Sequence, residues 1–200
     1  MKRLTLLAIP FAAAIAACSH MSMEPAGGGW TTLFDGSSLA NWNQVGDANW
    51  KIVDGAVVAD KGSGFLVSKK SYGDFQIRAE FWADSDANSG IFIRCSDALK
   101  PTSAVCYEVN IYDKRPDPLY GTGAIVDVSK VNPMPKAGGR WNTYDITAKG
   151  NHLVVLLNGV KTADAQDSKL ANGPVGLQYA PGAVKDKGVI KFRKVEIRPL

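Results

Sequence analysis

The chain has 200 residues, 46% hydrophobic and 21% charged, a balance that suits one globular domain with a sizeable core. Its 23 basic and 19 acidic residues give a formal net charge of +4, and taking Lys2 and Arg3 away with an export signal leaves 21 basic against 19 acidic. So near-neutral a domain offers no electrostatic case for a nucleic-acid partner.

Lys2 and Arg3 form a basic start, residues 4–14 an apolar stretch too short to span a bilayer, and small residues lead directly to Cys18. This pattern resembles a bacterial lipoprotein signal, so residues 1–17 are expected to be removed and Cys18 to become an acylated first residue. Ser19, in place of an acidic residue, favours the outer membrane by resemblance to sorting rules, with the domain facing the periplasm or the cell surface. Residues 18–29, rich in Ser, Met, Pro and Gly, read as a flexible tether, and residues 30–200 as the folded domain.

From Trp30 onward short β-type runs alternate with Gly, Asn, Asp and Pro, and no helical periodicity stands out. The spacing predicts strands near 31–34, 50–53, 56–60, 65–68, 74–83, 90–95, 106–112, 123–128, 141–148, 152–158, 173–179 and 188–198. Phe75, Ile77, Ala79 and Phe81 alternate with Gln76, Arg78 and Glu80, the period of a half-buried strand. Asn88-Ser89-Gly90 is read as a turn into Ile91–Ile93, which would make these two strands neighbours in one sheet. Asp54-Gly55 and Asn158-Gly159 are hairpin-turn dipeptides, and Gly150-Asn151 turns one run into the next. The run His152–Leu157 is apolar at both parities, the pattern of a strand covered on both faces or central in its sheet. In the last run Ile190 and Phe192 are out of phase with Val195 and Ile197, which predicts a bulge at Arg193-Lys194. About a dozen short strands without helices imply an all-β jelly-roll β-sandwich of two antiparallel sheets.

Polar residues interrupt otherwise apolar strands between Asp74 and Asp113, where they must be paired, solvated or functional. Cys95 and Cys106, an even pair in an exported chain, are expected to form a disulfide. A directly facing pair in a regular ladder would send Arg94 and Glu108 to opposite faces unless the strand bulges. Asn110 and Tyr112 share a face with Glu108, whereas Asp113 points the other way at the strand end, where a turn-starting role is equally open to it. Residues 114–122, irregular and proline-bearing, stand where a covering loop would be. Trp42, Trp50, Trp82 and Trp141 read as packing residues, Trp82 being the best candidate for an exception by its parity. No zinc pattern occurs, no nucleotide-binding glycine loop and no Ser-His-Asp arrangement, while Asp84, Asp86 and Asp97 leave loop calcium open.

In order, GWTTLFDGSSLANW, SYGDFQIRAEFWADSDANSGIFIR, YEVNIYD, TGAI, GRWNTYDITAKGNHLVVLLNGVKT, GPVGLQY and VIKFRKVEIRPL closely resemble the 3-keto-disaccharide hydrolase domain family from about Gly29 to Leu200. The resemblance implies a concanavalin A-like jelly roll that cleaves glycosides oxidised to a ketone at the sugar C3. It departs from the family where Asn110 replaces a common Gln, and where a histidine found in many members after GLQ is replaced by Gln178-Tyr179-Ala180 and a Pro-Gly insertion.

A C3 ketone acidifies the C2 proton, so cleavage needs a base and a donor aimed at the developing enolate oxygen. Glu108 is the expected base and Arg94 the expected donor, with Asn110, Tyr112 and Asp113 as substrate-binding residues. No organic cofactor is expected. The partners implied are a carbohydrate, a membrane reached through the lipid, and a sugar 3-oxidoreductase to make the ketone. The rival reading is a carbohydrate-binding lipoprotein of the same fold without catalysis, and a surface scaffold without a sugar site is a third.

Overall fold

The computed structural model describes residues 29–182 and 187–200, and everything below concerns these. Thirteen strands form: β1 (Thr31–Phe34), β2 (Trp42–Gly46), β3 (Lys51–Val53), β4 (Ala56–Ala59), β5 (Gly64–Tyr72), β6 (Phe75–Ala83), β7 (Asn88–Ile93), β8 (Tyr107–Ile111), β9 (Arg140–Lys149), β10 (His152–Leu157), β11 (Val160–Gln166), β12 (Gly173–Ala180) and β13 (Ile190–Pro199). No helix occurs among the described residues. One sheet runs β11-β10-β9-β6-β13-β4-β3, with β1 also paired to β13, and the second runs β2-β5-β12-β7-β8. All the strand pairings are antiparallel, which gives the expected two-sheet sandwich.

The core lies where the two inner faces meet. Ile77, Ala79 and Phe81 of β6, Tyr144 and Ile146 of β9, and Phe192 and Val195 of β13 are sealed against Leu66, Ile91, Val109 and Leu177 of the other sheet. The alternation in β6 is complete, every second residue from Phe75 to Ala83 being buried. The bulge in β13 also occurs, the register with β6 shifting between Phe192 and Lys194, so Val195 and Ile197 return to the core face. The hairpin dipeptides take the positive φ they require, Asp54 at 49° and Gly55 at 72°, Asn158 at 52° and Gly159 at 80°.

Several expectations change. Asn88-Ser89-Gly90 is not a turn but the first half of strand β7, with Ser89 paired to Ile111 and Gly90 to Asn110. Strands β6 and β7 are not neighbours; the segment between them carries the chain from the large sheet to the small one. Strand β10 is flanked by β9 and β11 but not covered on both faces, since Val154 and Leu156 stay half-buried outside while Leu153 and Val155 enter the core. Residues 123–128 form no strand. They follow β8 through bonds from Val126 N to Glu108 O and from Asn110 N to Ala124 O, then double back at Asp127, whose φ is 60°. Strands β2 and β11, absent from the sequence reading, are both sheet edges.

On the outer face of the large sheet Lys191 lies 4.8 Å from the centre of the Trp82 ring, and Arg193 lies 4.2 Å from that of Trp141. Trp82 is therefore a half-exposed residue of the outer face and not of the core. Trp42 is buried and donates from its indole nitrogen to Leu33 O at 2.9 Å.

Candidate functional site

The site is built on the outer face of the small sheet, at its β8 edge. Phe92 pairs with Glu108 and Gly90 with Asn110, and Gly176 and Gln178 of β12 follow in the same two rows. Gly90, between Asn110 and Gln178 in the second row, leaves a trough, whereas Gly176 lies under Phe65 and Phe92. A Cβ on Gly90 would lie 3.1 Å from Val109 O and 3.4 Å from Glu108 Cγ, so any side chain there fills the space beside the carboxylate. A cavity of about 250 Å³ results, with Glu108 and Asn110 on its floor beside Asn88 and Gln178, and Arg115 and Tyr120 on its lip.

Glu108 is half-buried and its carboxylate accepts no hydrogen bond from the described residues. Loss of solvent, and secondarily the charge of Asp127, push its carboxyl up to about 7, against a smaller opposing pull from Arg115. A carboxyl poised there is protonated or ionised with almost equal ease at neutral pH, which suits proton transfer.

The lip is the irregular segment after β8. The Arg115 guanidinium sits 5.6 Å from the Tyr112 ring centre and 5.5 Å from that of Tyr120, so two aromatic faces hold its charge over the cavity. The Tyr120 hydroxyl donates to Asp127 Oδ1 at 2.6 Å, and this bond keeps the phenol protonated to higher pH than usual. Asn110 is only 4% exposed. Its amide nitrogen donates to Tyr120 O at 2.6 Å and its Oδ1 accepts from Ile111 N at 2.9 Å. Asn110 thus lines the cavity but spends most of its bonding on holding the lip. Tyr112 lines the cavity as well.

Arg94 does not join this group. It adopts φ of 52° just beyond β7, and its guanidinium donates to Gly73 O, Gly150 O, Leu170 O and Asp74 Oδ1 at 2.9, 2.6, 3.2 and 3.0 Å. At 1% exposure it is a buried tie between loops. The cause is the cysteine pair. Ile93 faces Tyr107, yet Cys95 is bonded to Cys106 with Cα atoms 4.1 Å apart, so two residues on one strand match one on the other. Arg94 is the extra residue, and the bulge turns its side chain away from Glu108 while bringing Cys95 beside Phe92.

Asp113 is likewise committed elsewhere. Its carboxylate accepts from Thr122 Oγ1 at 2.7 Å, Ala137 N at 2.9 Å and Gly138 N at 2.8 Å, pinning residues 136–138 to the end of β8. Asp84 and Asp97 cap nearby backbone amides and Asp86 pairs with Lys114. Among the described residues no three His, Cys, Asp or Glu side chains are grouped as metal ligands. Cys18 lies outside the described residues.

Asn88, Ser103, Arg115, Tyr120, Val126 and Gln178 line the cavity without having been singled out as site residues, although Arg115 and Tyr120 fall in the segment 114–122 that was expected to cover the site. Gln178 was detectable, because in β12 Val175, Leu177 and Tyr179 are core and Gln178 falls on the opposite parity. Arg115 and Tyr120 lie in a segment without periodicity, which carries no such signal.

Fold and site together define a two-sheet antiparallel sandwich with a carboxylate in a polar trough on one outer face. The chain belongs to the 3-keto-alpha-glucoside-1,2-lyase-like domain family, whose model matches residues 29–198. Among solved structures it is similar to two proteins of Parabacteroides distasonis ATCC 8503 classed as glycosyl hydrolases. One is 27% identical, with a TM-score of 0.72 over 86% of this chain and 100% of the other. The second is 20% identical, with a TM-score of 0.74 over 86% and 94%. The carbohydrate binding module CBM66 of Bacillus subtilis shares the fold at 18% identity, with a TM-score of 0.57 over 84% of this chain and 95% of the module. A comparison with curated proteins gave no match.

Proposed function

We propose that the protein cleaves glycosides carrying a ketone at C3 of the sugar ring, by elimination across C1 and C2 followed by addition of water. The observation that carries the proposal is Glu108, a half-buried carboxylate that accepts no hydrogen bond from the described residues and whose carboxyl is raised to about 7, in a trough walled by hydrogen-bonding side chains. Its carboxylate takes the C2 proton, and the electron pair of the C2–H bond moves toward C3 to give an enolate. Arg115, the cation on the lip, replaces Arg94 as the partner of the enolate oxygen. Return of that electron pair forms the C1–C2 double bond and breaks the bond from C1 to the leaving oxygen, which takes a proton from solvent at the cavity mouth. Water then adds across the double bond, so the net reaction is hydrolysis. A sugar 3-oxidoreductase must supply the ketone, since an unoxidised ring has no acidic C2 proton.

The test is release of free sugar from a 3-keto-glucoside by the purified domain, alongside Glu108→Gln. Turnover by the native protein that Glu108→Gln loses supports the proposal, and turnover that survives the substitution refutes it. The likeness to a carbohydrate binding module favours a second reading, binding without turnover; saturable sugar binding with no product would establish it. We also propose that acylation of Cys18 tethers the domain to the outer membrane. Incorporation of labelled fatty acid that Cys18→Ser abolishes is the corresponding measurement.

A further inference from the structure

The outer face of the large sheet lies across the sandwich from Glu108, and it carries the half-buried rings of Trp30, Trp82 and Trp141. Trp141, Trp82 and Lys191 form one cross-strand row over β9, β6 and β13, with Arg193 at the bulge beside it. Arg78 and Arg198, further along the same face, lie 5.1 and 4.9 Å from the centre of the Trp30 ring. The rise of a strand sets Trp82 and Gln76, at the two ends of this array, about 20 Å apart along β6. The half-buried Val154 and Leu156 of β10 widen it.

The charge of the face is mostly positive. Arg78, Arg193 and Lys194 are paired there with Asp145, Glu80 and Glu196, and Asp164 at the β11 edge is bonded to both Lys161 and His152. Lys149, Lys191 and Arg198 remain on the same face with no carboxylate partner among the described residues. A broad outward surface of indole rings beside unpaired cations marks a contact surface. At a membrane interface indole rings lie at headgroup level, and cations are drawn to anionic lipid. The chain also enters the domain here, since Trp30 is seated on this face and Cys18 stands twelve residues before it. Twelve residues reach at most about 42 Å, so a lipid on Cys18 holds the domain by this side.

We infer that the outer face of the large sheet docks on an anionic phospholipid surface. Trp30, Trp82 and Trp141 lie among the headgroups, Lys149, Lys191 and Arg198 meet lipid phosphate, and Glu108 is turned toward the aqueous side. The inference rests on acylation of Cys18 for the way the domain is held, and adds which face meets the lipid and which lipid charge it selects. Docked in this way, the trough stays open to a substrate arriving from solution.

The experiment uses the purified full chain, its acyl group checked by mass, reconstituted at low salt in vesicles of brominated phosphatidylethanolamine with or without phosphatidylglycerol. Bromine quenches tryptophan emission only at the lipid. The native protein is compared with Lys149→Glu/Lys191→Glu, with Trp82→Phe/Trp141→Phe, and with Lys69→Glu/Lys100→Glu on the small-sheet side, each first shown to be folded by circular dichroism. Quenching is expected to need phosphatidylglycerol and to fall with added salt. Lys149→Glu/Lys191→Glu cuts it about threefold or more, Trp82→Phe/Trp141→Phe lowers the quenched fraction, and Lys69→Glu/Lys100→Glu leaves it unchanged. Quenching that is absent, that is equal without phosphatidylglycerol, that survives the Lys149 and Lys191 or the tryptophan substitutions, or that Lys69→Glu/Lys100→Glu reduces as much, overturns the inference. If the chain carries no acyl group, the anchor reading has failed, and the face is judged by sedimentation of the same chain with the same vesicles. Sedimentation that needs phosphatidylglycerol and that Lys149→Glu/Lys191→Glu abolishes then upholds the docking face, and any other result overturns it.

Discussion

Two charged residues close in the chain's small sheet, Arg94 just beyond β7 and Glu108 on β8, have opposite fates. Glu108 accepts no hydrogen bond from the described residues and sits where solvent is scarce, so its carboxyl rises to about 7. As the base it must be ionised, so kcat/KM is expected to rise with pH and level off above about 7, and Glu108→Gln to lower it by about 10²–10⁴-fold. The same shift acts on stability with a definite sign. The folded state holds this proton more tightly than the unfolded chain does, so its contribution is fully present below the ordinary carboxylate range and is lost as pH rises through about 7. The melting temperature of the native protein should therefore fall between pH 5 and pH 8 more than that of Glu108→Gln. Arg94 instead satisfies three carbonyls and Asp74 from a buried position. Arg94→Ala is expected to cost about 3–5 kcal/mol in urea unfolding, while the protein that remains folded keeps its turnover. Lost turnover at full stability would instead return Arg94 to the chemistry.

Elements differ in how clearly they announce themselves. Strand β6 was legible because one face is core and the other solvent along its whole length, and β13 because its bulge shows as a change of apolar phase. Strands β2 and β11 were not. Both are edges whose sequences, WNQVG and VKTADAQ, bury few side chains, so the pattern that marks a strand is diluted. The lip, residues 114–122, forms no strand; Asn110 holds Tyr120 and Asp113 holds Thr122 and residues 137–138 through single side chains, beside a backbone bond from Val131 N to Pro118 O. Asp113→Ala should loosen residues 136–138 and the adjoining lip, raising KM more than it lowers stability. Faster amide exchange at Ala137 and Gly138 in that variant is the structural readout, and unchanged exchange would contradict the assignment. Gly176 makes only ordinary contacts at the position of a Cβ, 3.4 Å from Phe92 Cβ and 3.5 Å from Phe65 Cδ1. Gly176→Ala is therefore expected to fold normally, its methyl group lying under the Phe65–Phe92 pair.

At the scale of the molecule, the sandwich provides a rigid face and the disulfide fixes one wall of it. Cys95 and Cys106 close a short loop against Phe92 and Val105. Replacing both by Ser is expected to lower stability by about 2–4 kcal/mol in denaturant unfolding, whereas native protein in which Cys95 and Cys106 titrate as free thiols would contradict the bond. The same bulged pairing removes Arg94 from the site, so the cation near Glu108 comes from Arg115 in the following loop. By itself the sequence determined the all-β sandwich, most of its strands, the Asp54-Gly55 and Asn158-Gly159 turns and the β13 bulge, because each is written in nearest-neighbour periodicity or in dihedral preference, while Glu108 drew notice as a carboxylate on an apolar strand and through the family resemblance. Only the tertiary structure decided which strands share a sheet, that Arg94 and Asp113 are structural, and that Arg115, Tyr120 and Gln178 surround the carboxylate. Those outcomes depend on contacts between distant segments and on a one-residue slip beside a disulfide, and no local pattern along the chain records either.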